Sequence, residues 1–362
     1  MDEVVSLTKK LIRFRSTHDR PDEIRRCADF ITGYLDRRRI DYRRFDHRDV
    51  PSILVLPPGR GVPVLLMSHM DVVSGTDESF IPFVSGGRLY GRGSIDDKYA
   101  VALSLVLLTA HVDRLRRRHL DQADLPFGVL ITADEEIGGK NGARRVLASV
   151  TTDFCIALDG GSVDRIIVRE KGILKLKLTA KGRAAHASRP WLGDNAIDML
   201  IDDYMRIKPL FDLQRSDHWH RTLNFSILQA GRSHNQVPEL AEAYFDVRYT
   251  EEDVVDDLVA RMRGRIRGDL VVEAVEPVFH GGESRYLDLL RRVAPAAEVG
   301  CEHGASDARY LKDYGIDGVV WGADGDLSQH SAREHVAIDS IGRLYRLLDE
   351  FLLRVAAEAP AR

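Results

Sequence analysis

The sequence has few cysteines and no long hydrophobic run, and each shortage excludes a class of protein. Its three cysteines, Cys27, Cys155 and Cys301, lie far apart and form no CxxC pair, so neither a disulfide framework nor a thiolate metal site is expected. The longest nearly apolar stretch, 100–110, is too short to cross a bilayer. The N-terminus begins with acidic residues and lacks the basic start and apolar core of a signal peptide. We therefore expect a soluble, cytoplasmic protein.

The chain also lacks a strong excess of charge of one sign. Its formal net charge is −4, which gives no general attraction to nucleic acid or to an anionic membrane. The basic runs 114–118 and 261–267 have apolar partners at helical spacing, as solvated helix faces do. We expect neither nucleic-acid nor membrane partners. A hydrophobic share of 44% over 362 residues is sufficient for a large core, divided between two domains.

Helix and strand signals alternate along the first part of the sequence. Short apolar runs at 62–67, 127–132 and 154–158 are separated by segments with helical periodicity. Continuous apolar strands between helices predict an α/β fold with a central, mostly parallel sheet flanked by helices. Ligands of such sheets bind beyond the carboxyl ends of the strands. Four acidic or histidine residues follow predicted strands at such ends: His69, Glu135, Glu136 and Asp159.

The periodicity changes in the middle of the chain. Leu174, Leu176 and Leu178 alternate with polar residues, as in a strand exposed on one face. The order strand–helix–strand–strand–helix–strand predicts an inserted ferredoxin-like α+β unit. Thr250 is predicted to cap its second helix, with Asp253 in a capping-box-like arrangement. The predicted domains are a first catalytic part at 1–170, the insert at 171–277 and a second catalytic part at 278–362.

Acidic and histidine residues recur in five separate segments after apolar runs. These residues are His69 and Asp71, Asp96, Glu135 and Glu136, Asp159, and His330. Imidazoles and carboxylates are the ligands that two Zn²⁺-like ions need, with one carboxylate left to act as a base. Each piece alone also fits a structural role, such as a buried histidine satisfied by an acid, acids at a helix start, or an acid in a turn. Their combination favours a dinuclear metal site.

The spacing of these residues indicates how they divide the chemistry. His69 and Asp71 face the same side of an extended backbone, so the acid can orient an imidazole that binds metal. Asp96 follows two glycines and can bridge two cations with its two oxygens, but the adjacent Asp97 remains an alternative. Glu135 and Glu136 point in opposite directions if extended, so one can bind metal while the other faces a water molecule. Gly91 and Gly93 also suggest the glycine-rich loop that binds a dinucleotide, but the third glycine of that motif is missing, which disfavours this alternative.

These segments resemble the co-catalytic metallopeptidase family of aminoacylase, acetylornithine deacetylase, succinyl-diaminopimelate desuccinylase, glutamate carboxypeptidase and bacterial dipeptidases. The matching segments run from His69 to Glu334, and the N-terminal helices and the inserted unit fit as well. The resemblance implies a zinc-peptidase-like catalytic domain with an inserted lid and dimerisation domain. It also implies two divalent metal ions, Zn²⁺ with Co²⁺ or Mn²⁺ as alternatives, and a homodimer joined through the insert.

The resemblance also implies individual roles in the metal site. His69 and Asp159 match the ligands of one metal, Glu136 and His330 match those of the other, and Asp96 matches the bridging ligand. Glu135 matches the general base, and Asp71 matches the acid that orients the imidazole. A cis peptide bond is implied between Asp96 and Asp97.

The remaining implied roles concern the substrate. His186 matches a lid histidine that reaches the partner subunit's site and polarises the scissile carbonyl. Asn235 and Arg248 match lid residues that hold the substrate carboxylate, and Gly304 and Ser306 lie in a run that resembles a substrate-side loop.

The resemblance implies hydrolysis of an amide bond in a small peptide or an N-acyl amino acid. Asp159 stands where deacylase-type members usually carry Glu and where peptidases acting on free amino ends often carry Asp, which favours a dipeptidase or aminopeptidase. The run 306–309 looks more like the desuccinylase type, so a succinyl-diaminopimelate desuccinylase or an acetylornithine deacetylase-like enzyme is the alternative. A non-catalytic metal-binding homologue that binds small molecules is a more remote alternative.

Overall fold

The chain forms two compact units in the computed structural model, which describes residues 2–59, 61–211, 213, 215 and 219–358. The first unit contains Met1–Arg169, His280–Glu302 and Ser306–Arg362, and the second contains Glu170–Phe279 and His303–Ala305. Helices and strands are numbered in chain order across both units. Within the described part of the chain, no helix is long and apolar enough to cross a membrane.

The first unit is built from helices alternating with strands. Its helices are α1 (Asp2–Ile12), α2 (Pro21–Arg37), α3 (Lys98–Arg117), α4 (Ala143–Leu147), α7 (Arg285–Val293) and α8 (Ile338–Glu358). Its strands are β1 (Arg43–His47), β2 (Val50–Val55), β3 (Val62–His69), β4 (Phe83–Ser85), β5 (Arg88–Tyr90), β6 (Phe127–Thr132), β7 (Thr152–Ala157), β8 (Arg165–Glu170), β16 (Glu298–Glu302), β17 (Asp317–Val320) and β18 (His335–Ala337), with β15 (Phe279–His280) where the chain returns from the second unit.

A mixed sheet runs through the first unit in the order β1-β2-β6-β3-β7-β17-β8. The central strands β6, β3, β7 and β17 are parallel, whereas β1, β2 and β8 pair antiparallel with their neighbours. The predicted α/β class is confirmed, but the sheet is mixed rather than mostly parallel across its width. The physical reason is local for β1 and β2, because a two-residue turn joins them and such a short connection allows only antiparallel pairing.

Apolar side chains cover both faces of the central strands. Val64 and Leu66 belong to the large core that α1, α2, α3, α7 and α8 share with the sheet. The alternate residues Leu65 and Met67 are equally buried but lie outside that core, so they face the opposite side of the sheet. A strand buried on both faces needs an unbroken apolar sequence, which β3 has.

The parallel strands bring the candidate site residues to one edge of the sheet. β3 ends at His69, β6 ends at Thr132 and β7 ends at Ala157. Because these three strands are neighbours and parallel, their carboxyl ends lie together, and the segments that follow them start from the same edge.

The described residues of the second unit form a four-stranded antiparallel sheet with two helices and a short two-stranded ribbon. Its elements are β9 (Gly172–Lys181), β10 (Ala185–His186), α5 (Ala196–Ile207), β11 (Thr222–Ala230), β12 (Gln236–Val237), β13 (Leu240–Tyr249), α6 (Val255–Arg263) and β14 (Asp269–Glu276). The sheet order is β11-β13-β9-β14, which together with the chain order gives the split βαβ arrangement of a ferredoxin-like unit. The alternating leucines of β9 are buried in its core, as their period predicts.

One predicted helix boundary in this unit is wrong. α6 begins at Val255, with Val254 as its N-cap, rather than at Thr250. Thr250 does contact Asp253, whose Oδ2 accepts from its N–H at 2.9 Å and from its Oγ1 at 3.2 Å. These hydrogen bonds close a turn that precedes the helix. Such a contact joins residues three positions apart, so it also forms where no helix follows directly.

The cysteines take no part in cross-linking. Cys27, Cys155 and Cys301 are all free, and the first two are buried. Burial raises the pKa of the Cys27 thiol to about 11, so it stays protonated at neutral pH and offers no thiolate.

Candidate active site

The end of β3 places an imidazole beside an orienting acid. The His69 imidazole is buried, and its Nδ1 lies 3.1 Å from the carbonyl oxygen of Asp71 and 3.4 Å from Asp71 Oδ1. The Asp71 carboxylate also accepts from the backbone N–H groups of Glu135, at 3.3 Å, and Glu136, at 3.1 Å. One carboxylate therefore fixes both the imidazole and the turn that carries the two glutamates.

Asp96 lies between two imidazoles. Its Oδ1 is 3.0 Å from His69 Nε2, and its Oδ2 is 3.0 Å from His330 Nε2. The backbone that leads to Asp96 passes through Gly91 and Gly93, whose φ angles are 144° and 82°. Only glycine adopts such angles readily. The peptide bond between Asp96 and Asp97 is cis.

The other acids complete two groups of potential metal ligands. Asp159 Oδ2 lies 3.7 Å from His69 Nε2, and Glu136 Oε2 lies 3.2 Å from His330 Nε2. The His69 group consists of His69, Asp96 and Asp159, and the His330 group consists of Asp96, Glu136 and His330. Within each group the ligand atoms lie within 4.8 Å of one another. Asp96 alone belongs to both.

Asp97 has a different place. It is fully buried, and its Oδ2 accepts a hydrogen bond from the backbone N–H of His69 at 3.3 Å. Among the described residues it is a member of neither ligand group. The geometry thus places Asp96 between the imidazoles, an assignment that sequence spacing left open.

Negative charge dominates this part of the first unit. The carboxylates of Asp96 and Glu136, which accept hydrogen bonds from the imidazole, raise the pKa of His330 to about 10. Burial acts to raise the pKa of Asp96, but the two neighbouring imidazoles, His330 and His69, hold that pKa below its ordinary value. Burial raises the pKa of Glu136. Several carboxylates that lie close together and away from solvent need a positive charge beside them. A protonated imidazole or a divalent cation can supply it.

The donor set fits divalent metal ions. Among the described residues, His69 Nε2 has no hydrogen-bond partner of acceptable geometry, although Asp96 Oδ1 is only 3.0 Å away. A buried imidazole nitrogen and a carboxylate oxygen that approach without a hydrogen bond are arranged as two ligands of one ion are. Imidazole nitrogen and carboxylate oxygen together are donors that Zn²⁺ accepts.

Glu135 lies outside both ligand groups. It begins the one-turn 3₁₀ helix Glu135–Ile137, and its Oε1 accepts a hydrogen bond from Arg309 Nη2 at 3.0 Å. Burial, reinforced by the charge of Asp159, raises the pKa of Glu135 well above its ordinary value. A carboxylate with a raised pKa beside potential metal ligands is suited to accept a proton.

Several buried charged residues have no individual role predicted from the sequence, and three of them lie at this site: Arg92, Glu334 and, within the run 306–309, Arg309. Arg92 Nη1 lies 2.5 Å from Glu334 Oε2, and the two residues are 242 positions apart. Arg309 and Glu135 are 174 positions apart. No local pattern marks such contacts; the only signals are the place of Arg92 between two glycines and that of Glu334 shortly after His330.

The implied substrate residues are divided between the two units. Ser306 is buried in the first unit, where its Oγ accepts from the N–H of Ala308 at 3.3 Å and caps the 3₁₀ helix Asp307–Tyr314. The other four belong to the second unit: His186, Asn235, Arg248 and Gly304. Their roles toward a substrate stay predictions.

Comparison with known proteins gives a consistent result. Residues 65–354 match peptidase family M20/M25/M40. A succinyl-diaminopimelate desuccinylase of Wolbachia pipientis subsp. Culex pipiens is 27% identical over 376 residues, which cover 96% of this chain and 92% of that protein. The crystal structure of a tripeptidase from Staphylococcus aureus has the same fold, with a TM-score of 0.79 and 20% identity over 99% of both chains. So does a Bacillus subtilis protein described as a dinuclear metal binding peptidase from the M20 family, with a TM-score of 0.62 and 15% identity over 97% of this chain and 99% of that one.

The family match covers most of the first unit's site, including His69, Asp96, Glu136, Asp159 and His330. The predicted relationship to co-catalytic metallopeptidases and desuccinylases is confirmed by that match and by the relatives' names. Peptidases and desuccinylases of this kind cleave amide bonds. The chain belongs to peptidase family M20/M25/M40 and is a hydrolase acting on amide bonds.

Proposed function

We propose that the protein hydrolyses the amide bond of a small peptide or an N-acyl amino acid with two divalent metal ions in the candidate site. The observation that carries the proposal is the position of Asp96, with one oxygen 3.0 Å from His69 Nε2 and the other 3.0 Å from His330 Nε2. A carboxylate that shares its oxygens in this way suits two cations about 3.5–4 Å apart. Zn²⁺ is the metal proposed, with Co²⁺ or Mn²⁺ as alternatives.

Each ligand group would hold one cation. The His69 group supplies an imidazole and the Asp159 carboxylate, the His330 group supplies an imidazole and the Glu136 carboxylate, and Asp96 is common to both. When bound, such cations supply a water molecule of lowered pKa and polarise the substrate carbonyl.

The proton is moved by this chain's own residues. Glu135 accepts it from the attacking water and delivers it to the leaving amine. Because Arg309 binds Oε1 of Glu135 at 3.0 Å, we expect Oε2 to take the proton. Asp71 accepts hydrogen bonds from the backbone N–H groups of Glu135 and Glu136. These contacts keep Glu135, the proposed base, in place beside Glu136, the proposed ligand.

We further propose that the second unit is the lid and dimerisation domain and that it binds the substrate's carboxylate. A cavity of about 510 Å³ in this unit is lined by several cationic or ionisable side chains, including Lys171, Arg248 and His303. Guanidinium and ammonium groups in a cavity are suited to a carboxylate. His186 is exposed in the second unit and is proposed to polarise the scissile carbonyl of a partner subunit, with Asn235, Gly304 and Ser306 contributing to substrate binding.

Two observations separate the candidate substrates. Asp159 lies in the His69 group, and the family resemblance associates aspartate at this position with peptidases that act on free amino ends. The 27% identical relative is a succinyl-diaminopimelate desuccinylase, which supports N-deacylation as the second candidate. A non-catalytic binding protein is more remote, because binding alone does not need Glu135 beside the ligand groups.

A substrate panel tests the proposal. The protein is stripped with a chelator, reloaded with Zn²⁺, Co²⁺ or Mn²⁺, and assayed with dipeptides, tripeptides, N-acetyl amino acids and N-succinyl amino acids. We expect hydrolysis to return on reloading and to be fastest with dipeptides that have a free amino end. A preference for N-succinyl substrates would select the deacylase instead, and no hydrolysis with any metal would contradict the proposed function.

A further inference from the structure

A buried ion pair, Arg92 with Glu334, lies near the ligand groups without belonging to either of them. Arg92 Nη1 is 2.5 Å from Glu334 Oε2, and the two side chains are only 5% and 2% exposed. Removing two charges from water is costly, and a buried pair is often no more stabilising than apolar residues of similar volume. The pair therefore calls for an explanation other than stability.

One remaining hydrogen bond of the pair runs from Arg92 Nη2 to the carbonyl oxygen of Ser74 at 3.3 Å, and the others reach the backbone around two proposed ligands. Glu334 Oε1 accepts from the N–H groups of Ile95 and Asp96, both at 3.3 Å. Arg92 Nη2 donates to the carbonyl oxygen of His330, also at 3.3 Å. Asp96 and His330 both belong to the His330 group, although the chain separates them widely.

His330 has particular need of such a contact. Its φ is 60°, in the left-handed region that a residue with a side chain adopts only at a cost. Its side chain is 53% exposed, so packing does little to fix it. A hydrogen bond from a buried guanidinium restrains the backbone of His330, whereas its imidazole contacts Asp96 and Glu136. A metal ligand must be held within about 0.5 Å of its position to bind well.

We propose that Arg92 and Glu334 form a positioning pair that aligns Asp96 with His330 and thereby sets the affinity of the His330 group for its cation. The inference rests on the proposed dinuclear site. The pair acts on the backbone, since its hydrogen bonds to Asp96 and His330 end on main-chain atoms and neither residue belongs to a ligand group. The His69 group shares Asp96, but its own imidazole is held by Asp71 instead.

Two conservative variants of the full-length protein test this proposal. Arg92→Lys keeps the charge but cannot donate in the same fork to Glu334 and to the His330 carbonyl. Glu334→Gln keeps an acceptor for the Asp96 N–H but loses the ion pair. Zn²⁺ is titrated into each metal-free protein in competition with a chromophoric chelator, and the two binding steps are compared with those of the wild type. We expect one step to weaken about 10- to 100-fold and the other by less than about threefold.

Arg114→Lys is the matched control, since Arg114 forms a pair of similar length with Asp349, at 2.5 Å, away from both ligand groups. It should leave both binding steps unchanged. The proposal would be overturned if the variants fold, as judged by circular dichroism, and bind both ions as tightly as the wild type does. Equal weakening of both binding steps would also overturn it. If both metal-free variants fail to fold, the pair is structural and the proposal is also wrong.

The wild-type titration keeps this inference distinct from the proposed function. If the wild type shows two binding steps but hydrolyses no substrate, the proposed function is wrong, and the proposal on the positioning pair can still be tested. Fewer than two steps would remove the dinuclear site itself.

Discussion

Glu135 and Glu136 are neighbours in sequence, but their carboxylates have different partners. Glu136 Oε2 lies 3.2 Å from His330, whereas Glu135 Oε1 lies 3.0 Å from Arg309. We expect Glu135→Gln to bind both cations normally while kcat falls about 10²- to 10⁴-fold, because an amide cannot accept the proton. Steady-state kinetics and zinc content, measured on one preparation, check both parts.

The matched variant is Glu136→Gln, which should lower the zinc content as well as kcat, since it changes a proposed ligand. A Glu135→Gln protein that turns over at the normal rate would show that another group moves the proton. Loss of zinc from that variant would show instead that Glu135 is a ligand.

The sequence predicts residues of this site where they follow strands, and it fails where contacts depend on distant segments. His69 and Asp159 could be proposed because His69 ends one apolar strand and Asp159 follows another, at the carboxyl edge of a parallel sheet where ligands bind. The choice between Asp96 and Asp97 could not be made, because the direction of each side chain depends on the backbone of the turn. Arg92 escaped notice because its partner is 242 positions away.

At the level of helices, a charged cluster joins α3 to α8. Arg114 Nη1 and Nη2 lie 2.5 and 2.7 Å from the two oxygens of Asp349, and His111 Nε2 is 2.9 Å from Oδ1. Partial burial acts to raise the pKa of Asp349, but the hydrogen bonds from Arg114 hold it below its ordinary value. The charged carboxylate is therefore the form that stabilises the folded protein.

We expect Asp349→Asn to lower the free energy of unfolding by about 1 kcal/mol at pH 7, as for a partly exposed ion pair. Because the folded pKa lies below the unfolded value of about 3.9, this contribution is complete above that value and is lost as the pH falls through the folded pKa. Urea unfolding between pH 7 and pH 3.5 should show the difference from wild type shrinking at the acid end.

A control for this helix contact is Glu350→Gln, which removes an exposed pair with Arg354 on the same helix. It should change the free energy of unfolding by less than about 0.5 kcal/mol at either pH. A deficit of Asp349→Asn that stays constant down to pH 3.5 would contradict the assigned role of the Asp349 charge.

Long elements were easier to predict than their boundaries and short partners. The run 127–132 is a strand with those limits, since β-branched and apolar residues persist throughout it. The β1–β2 hairpin went unrecognised because its turn is Arg48-Asp49, with φ angles of 50° and 64°, where glycine or asparagine is the usual signal. The start of α6 was misplaced because the Thr250–Asp253 contact does not by itself show that a helix follows.

On the scale of the whole molecule, the second unit exposes apolar residues at one edge of its sheet. Ile227 and Leu228 are exposed on the edge strand β11, and Ile201 and Met205 are exposed on α5, whose Tyr204 packs on Phe225 of that strand. An exposed edge strand with apolar neighbours is a surface for association. This apolar edge of the second unit is therefore the surface at which a homodimer is expected to form.

We expect sedimentation at micromolar concentration to show a dimer for the wild type and mainly monomer for Ile227→Lys. The monomer should lose at least about tenfold in kcat, because His186 would no longer reach a partner's site. Val271→Lys changes an exposed valine on β14, the opposite edge strand, and should remain a dimer with normal kcat. A fully active wild-type monomer would contradict the shared site.

The α/β class and the ferredoxin-like order could be predicted from the change of hydrophobic period near residue 171, because period and burial are local properties of a strand. The strand order could not. β17 pairs with β7 through Asp317 and Phe154, which no local pattern connects. Strand order depends on which distant segments pair best, and that is decided by packing of the whole unit.

The most direct measurement is the zinc content of the wild type and of Asp96→Ala. Each protein is equilibrated with Zn²⁺, freed of unbound metal and analysed by mass spectrometry of the element. Two bridged cations predict about two zinc ions per wild-type chain and at most one in the variant, because Asp96 is the ligand common to both groups. Equal zinc content in both proteins, or no zinc in the wild type, would contradict the dinuclear site.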